Sequence, residues 1–146
     1  MAVDELDFRA GEVWCGWYDV QVLELNVAND GVAFRYVIPR STPLDEILID
    51  DELTEFSLPA YGAGDSKARL PLPFIAASPI AGWIVIAESK PGKYPAAYLE
   101  PAAESILLTR LAAPFEGASP LTCPWRIVIV GASRERLMDA EILRVR

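Results

Sequence analysis

The chain has 146 residues, 52% of them apolar, and a formal net charge of −8. That is enough material for one domain with a sizeable core and some apolar surface left over. The acidic balance argues against a nucleic-acid partner, which needs a basic face, and against an anionic membrane surface. The sequence contains no histidine, which excludes Ser-His-Asp and Cys-His nucleophile systems and every histidine-containing zinc site within this chain. Chemistry here is restricted to carboxylates, Tyr, Lys or backbone groups.

The N-terminal stretch Met1-Ala2-Val3-Asp4-Glu5-Leu6-Asp7 is acidic and lacks a basic region followed by an apolar one, so it does not read as a signal peptide. The sequence as given predicts a cytoplasmic protein; a start further upstream would allow a periplasmic or secreted one. Strand-like segments then follow at 13–18, 20–27, 32–39, 47–50, 53–58, 72–75, 83–88, 97–99, 106–111, 125–131 and 141–145, separated by Gly, Pro, Asn and Asp. The apolar phase slips between Val22 and Leu23, which predicts a bulge. Asn29-Asp30-Gly31 reads as a tight hairpin turn whose residues tolerate positive φ. After it, Val32, Phe34, Tyr36 and Ile38 fall on one side of a strand, and Ala33, Arg35 and Val37 on the other.

From 70 to 87 the chain carries no charge, but Pro71, Pro73 and Pro79 forbid a spanning helix. Two buried strands joined by a turn fit better. Residues 58–67 form the most loop-like stretch, between the two halves. Only 133–138 reads as helical, one or two turns with Ser133 as N-cap. Twelve prolines and many short strands without crossover helices predict an all-β fold, an antiparallel β-sandwich. Cys15 and Cys123 have no metal-like spacing and read as two buried free thiols.

Several motifs occur together in order: Asn29 to Tyr36 (NDGVAFRY), Asp51-Glu52-Leu53-Thr54-Glu55-Phe56, Trp83 to Glu88 followed by Lys93-Tyr94-Pro95, and Thr122-Cys123-Pro124-Trp125-Arg126-Ile127-Val128-Ile129. In this order and spacing they resemble the N-terminal β-sandwich domain of glycoside hydrolase family 97, over roughly residues 20 to 146; residues 1–19 carry little of the pattern. The resemblance implies a single sandwich domain, a partial supersandwich of the galactose-mutarotase-like kind, similar to the later part of that domain. The family's enzymes are bacterial, act on α-glucosidic or α-galactosidic bonds and carry their catalytic barrel after the sandwich. The resemblance therefore implies an accessory module lacking that barrel.

Glu88 lies where the family's sandwich lends a glutamate to a calcium ion at the barrel interface, although Ala87 stands where the family has His. The resemblance implies no cofactor for the chain by itself, and Ca²⁺ only if a partner domain completes the site, since the ion takes six to eight oxygen ligands. Aromatic rings near loops are candidates for stacking on sugars: Tyr61, Tyr94 and Trp17. Asp50, Asp51, Glu52 and Glu55 read as a solvated strand edge rather than a catalytic pair. Arg35 and Arg126 interrupt apolar strands and need partners, for which Glu24 and Asp51 are candidates.

The expected function is a non-catalytic, carbohydrate-associated module that binds glycan or docks on a catalytic partner. A structural domain that self-associates as a homodimer through an exposed sheet face is the alternative. Part of a calcium-dependent α-glycosidase whose barrel is encoded separately is a third reading.

Overall fold

The computed structural model describes residues 8–9, 14–15, 18–19, 22–41, 44–58, 68–79, 82–103 and 105–144. The elements in chain order are β1 (Phe8–Arg9), β2 (Trp14–Cys15), β3 (Tyr18–Asp19), β4 (Val22–Ala28), β5 (Gly31–Ile38), β6 (Ile47–Ile49), β7 (Glu55–Ser57), β8 (Leu70–Pro71), β9 (Phe74–Ser78), β10 (Gly82–Glu88), β11 (Ala97–Ala103), β12 (Ile106–Leu111), β13 (Phe115–Gly117), β14 (Leu121–Thr122), β15 (Arg126–Gly131), α1 (Arg134–Leu137) and a 3-10 turn (Glu141–Arg144). Among the described residues no helix is long and apolar enough to cross a membrane.

Two antiparallel sheets make the sandwich. One runs β1-β7-β12-β11-β8. The other runs β14-β5-β15-β10-β9, with β4 added on β5. Between them lies a core of Phe34 and Tyr36 from β5, Phe56 from β7, Ile84 and Ile86 from β10, Leu99 from β11, Leu107 and Leu111 from β12 and Val128 from β15. Alternation places these residues inward, because successive side chains of a strand point to opposite faces.

The second sheet is also covered on its outer side. Ala33, Val85, Ala87, Trp125, Ile127 and Ile129 form a second apolar cluster with Leu137, Ala140 and Ile142 of the C-terminal segment. This double burial explains why β10 and β15 read as almost unbroken apolar runs instead of alternating ones. The short α1 and the 3-10 turn act as the lid on that face.

The all-β antiparallel sandwich with one short helix near the C-terminus is the observed architecture. Several local expectations are corrected. Within the segment expected as a strand at 141–145, Glu141–Arg144 form the 3-10 turn, because Ile142 is buried against the sheet's outer face rather than at a strand edge. The stretch after β12, to which the sequence assigned no strand, contains β13 on β6 and β14 on β5; both are too short, and too close to Pro114, Pro120 and Pro124, to show a period. No bulge occurs at Val22, since β4 pairs with β5 in continuous register from Val22↔Val37 to Ala28↔Gly31. Ser133 does stand at the N-cap of α1, but it makes no cap hydrogen bond and donates instead to Glu135 Oε2 at 2.7 Å. The segment around 72–75 splits between sheets, β8 in the first and β9 in the second; β9 and β10 then form an antiparallel pair.

The hairpin at Asn29-Asp30 is present, yet its glycine works differently from the expectation. Neither turn residue nor Gly31 has a positive φ. A Cβ on Gly31 would strike the Val128 carbonyl oxygen on the neighbouring strand and press on Ile142 Cγ2 at 3.0 Å. Gly31 is thus a close-approach glycine, letting β5 and β15 meet under the C-terminal lid. Gly31→Ala is expected to destabilise the fold by about 1–3 kcal/mol through overpacking, read as a lower urea midpoint with an unchanged slope.

Candidate functional site

The polar heart of the sandwich is built around Arg126. This residue opens β15 on its inward-facing side, in register with Glu88 of β10 and Phe34 of β5. Its guanidinium is 1% exposed. Nε donates to Glu52 Oε1 at 2.8 Å and Nη2 to Glu52 Oε2 at 2.6 Å, a two-pronged fork. Nη1 donates to Glu88 Oε2 at 2.8 Å. Glu88 shares a sheet with Arg126, whereas Glu52 arrives on the approach to β7 of the opposite sheet, so one cation ties the two layers together.

The network continues outward from Glu52. Its Oε1 accepts from Thr54 Oγ1 at 3.1 Å, and Thr54 Oγ1 is also 2.7 Å from Tyr36 Oη. The Ala97 N–H reaches both Glu88 oxygens at 3.3 and 3.4 Å. Burial by itself would lower the Arg126 pKa, but hydrogen bonding and charge from Glu52, with the charge of Glu88, raise it well above its ordinary value. Burial pushes the Glu88 carboxyl up, and the guanidinium of Arg126 and the Ala97 N–H offset only part of that.

This geometry overturns the solvated-edge reading of Glu52, which is 7% exposed. The reason is that a buried guanidinium demands a carboxylate partner, and Glu52 is the one that reaches it. Asp51 instead serves Arg110, accepting from Nε at 2.6 Å, and takes the backbone N–H groups of Leu111 at 2.7 Å and Glu52 at 2.9 Å. Glu24 pairs with Arg35 at 2.6 Å across β4 and β5, as the sequence allowed. Arg35 also lies 4.3 Å from the Trp125 ring centroid on the outer face.

Of the site residues expected from the sequence, Glu88 and Tyr94 fall within the described part of the chain. Tyr94 is buried in the core, 5.2 Å from the Phe115 ring, so a sugar ring has no face of it to stack on. Burial pushes its phenol far above the ordinary range. Trp17 and Tyr61 lie outside the described residues. Trp83 and Tyr98 are half-buried, and each has an arginine over its ring, Arg134 at 5.5 Å and Arg69 at 4.6 Å. Cys123 is a buried free thiol whose pKa burial raises, which makes it unreactive.

Glu88 does not fit a calcium centre on this chain. One of its oxygens is committed to Arg126, and among the described residues no three acidic or sulfur-bearing groups converge where a metal ion could sit. A cation needing six or more oxygens would find the carboxylates of Glu88 and Glu52, both already bound to the Arg126 guanidinium.

A shallow hollow of about 480 Å³ opens on the outer face, lined by Arg35, Ser89, Lys90, Thr122, Pro124 and Trp125. The Trp125 indole N–H has no acceptor among the described residues. Sequence reasoning missed this hollow, because its lining residues come from four separated segments, the last contributing Leu143.

With this geometry in place, the comparisons with known proteins are specific. The family model described as "Glycosyl-hydrolase 97 N-terminal" matches residues 5–64 and 61–144. The chain belongs to that family. The match reaches further toward the N-terminus than the motifs alone suggested, and its two pieces meet in the loop-like stretch. No curated protein matches the sequence. Among solved structures, a glycoside hydrolase family 97 enzyme from Pseudoalteromonas sp. strain K8 in complex with panose is 18% identical, with a TM-score of 0.63, over 94% of this chain and 28% of that one. An arginine-to-lysine variant of a family 97 enzyme from the same strain is 19% identical, with a TM-score of 0.60, over 88% and 27%. The acarbose complex gives 18%, 0.58, 88% and 27%. At these identities the likeness concerns the fold. The chain spans little more than a quarter of the length of these enzymes.

Two predictions follow from the charges. Arg126→Met leaves Glu52 buried without its cation and is expected to cost about 3–5 kcal/mol, whereas Glu88→Gln is expected to cost less, since the amide oxygen still accepts from Arg126 Nη1 and the Glu52 fork remains; urea unfolding at neutral pH ranks them. For Asp51, burial would raise the carboxyl, but the N–H groups of Leu111 and Glu52 and the Arg110 guanidinium outweigh it and hold the pKa below the usual carboxylate value. A depressed folded-state pKa stabilises above the unfolded value, roughly pH 4, and that stabilisation is lost as pH falls through the folded value. Asp51→Asn should therefore flatten the acid limb of a stability-versus-pH curve below roughly pH 4.

Proposed function

We propose that this chain is a non-catalytic, carbohydrate-associated sandwich that docks on a glycoside-hydrolase catalytic domain. One observation carries the reading: the solved family 97 enzymes match 88–94% of this chain over only 27–28% of their own length, so the matched sandwich corresponds to one part of a larger enzyme. The internal chemistry agrees. A retaining glycosidase needs two carboxyls about 5–5.5 Å apart, flanking one glycosidic bond. Here the buried Glu52 and the partly buried Glu88 share a single guanidinium between the sheets. They hold the sandwich together.

Direct glycan binding is a second reading, favoured by the hollow beside Lys90. Ser89, Thr122, Arg35 and Lys90 offer hydroxyl and cationic donors there, in the absence of a bare aromatic ring among the described residues of the hollow. Calcium enters either reading only with ligands from the partner, Glu88 contributing its less engaged oxygen.

The isolated chain is expected to show no hydrolysis of chromogenic α-glucosides or α-galactosides, and to co-elute with a family 97 catalytic barrel in size-exclusion chromatography. Calcium added to the chain alone is expected to leave Tm unchanged. No co-elution with the barrel, together with retention on an α-glucan affinity gel that Lys90→Glu abolishes, would transfer the proposal to the glycan reading. Hydrolysis by the isolated chain that disappears in Glu88→Gln would overturn both.

A further inference from the structure

The exposed apolar side chains concentrate on one strand. In β4, Val22 is 45% exposed, Leu23 46%, Leu25 64% and Val27 75%. Leu23, Leu25 and Val27 sit opposite Tyr36, Phe34 and Val32, so they lie on the same face as core residues. They continue the sandwich interior past the point where the opposite sheet covers it. Among the described residues β4 pairs on one side only, with β5.

Edge strands of soluble proteins carry protection: a lysine, a proline, a bulge, or very short length. β4 has none of these. It is seven residues long, contains neither Lys nor Pro, and keeps unbroken register with β5. Its one charge, Glu24, is neutralised by Arg35 at 2.6 Å on the outer face and so does little to repel a neighbouring strand.

We infer that β4 is a self-association edge, occupied by β4 of a second copy in antiparallel pairing about a twofold axis. The strand's own sequence, Val22-Leu23-Glu24-Leu25-Asn26-Val27-Ala28, selects the register. Centred on Leu25, all seven residues pair: Leu25 meets its symmetry mate, Leu23 meets Val27, Glu24 meets Asn26 and Val22 meets Ala28. The inner face then becomes a continuous ridge of two Leu23, two Leu25 and two Val27 side chains. The outer face sets each carboxylate against an amide. Centring on Glu24 would put two carboxylates directly opposite each other, which is unfavourable. A shift to Asn26 places Leu23 opposite the turn residue Asn29 and leaves Val22 unpaired. A twofold interface must be complementary to itself, and this strand is so in one register. The pairing joins the two six-stranded sheets into one continuous sheet.

This inference is independent of the proposed docking on a catalytic domain and is tested without one. Sedimentation velocity of the full chain over a concentration series is expected to show a reversible monomer–dimer equilibrium, with Kd roughly micromolar, as for a small interface. Leu25→Lys, which sets two ammonium groups opposite each other, and Val27→Lys should each weaken it at least tenfold, about 1.4 kcal/mol. Leu48→Lys, at a residue 60% exposed on β6, should leave it unchanged. All three positions are exposed, so thermal melts should stay close to wild type. A Leu25→Cys variant should form an intermolecular disulfide that neither wild type nor Leu48→Cys forms. A monomer at all concentrations, a dimer indifferent to Leu25→Lys and Val27→Lys, or β4-dependent association that appears only with a catalytic domain would overturn the inference.

Discussion

The buried guanidinium of Arg126 is the constraint around which the rest of the sandwich is arranged. A cation at 1% exposure is intolerable unless its hydrogen-bonding capacity is met. Here it is met from both layers, by Glu88 in its own sheet and by Glu52 from the other. The fork to Glu52 fixes the approach to β7, and Thr54 and Tyr36 extend that fixation into the aromatic core. Such pairs add little net stability compared with well-packed apolar groups, but removing one partner is severe. The cluster thus selects one alignment of the two sheets. An apolar substitute could not penalise the other alignments so strongly.

The consequence for function is that the groups best suited to chemistry are consumed by architecture. Both glutamates inside the sandwich face the same arginine, and the buried thiol and phenols are held in their neutral forms by desolvation. Half-exposed Trp83 and Tyr98 are covered by Arg134 and Arg69. Among the described residues, the features presented outward include a hollow with two cationic side chains, Arg35 and Lys90, and an apolar edge at β4. That distribution accords with the docking role proposed for the module. Membership of the glycosyl-hydrolase 97 N-terminal family agrees with it.

The two sheets also differ in how they meet solvent, and this asymmetry shapes both margins. The sheet carrying β10 and β15 is sealed by the opposite sheet on one side and by the C-terminal segment on the other. Its last strand, β4, meets the C-terminal 3-10 turn near Ala28, while its inner face stays exposed. The inward alternation of Leu23, Leu25 and Val27 obeys the same rule as Phe34 and Tyr36, but these three side chains remain exposed.

Patterns local to a strand were legible in the sequence. Alternation over Val32 to Tyr36 and the unbroken apolar run at Trp83 to Ala87 depend only on which faces are buried, and that is written in the residue types. The Glu24–Arg35 pairing was within reach because the two residues are joined by a two-residue hairpin. The motif order Asn29 to Tyr36, Glu88 and Pro124-Trp125-Arg126 likewise survived as a family signature. The partner of Arg126 was not legible: Glu52 is 74 positions away, and Asp51 beside it has the same chemistry. Only the approach of one sheet to the other decides which carboxylate reaches the guanidinium. The same holds for Tyr94, whose place beside a Tyr-Pro turn suggested access to sugars, whereas Phe115 from a distant strand covers it. Chain-local periodicity therefore determined the class of fold and the inward faces. Tertiary packing alone decided which charges are neutralised, which rings are sealed and which apolar strand is left open, because each outcome depends on what a remote segment brings alongside.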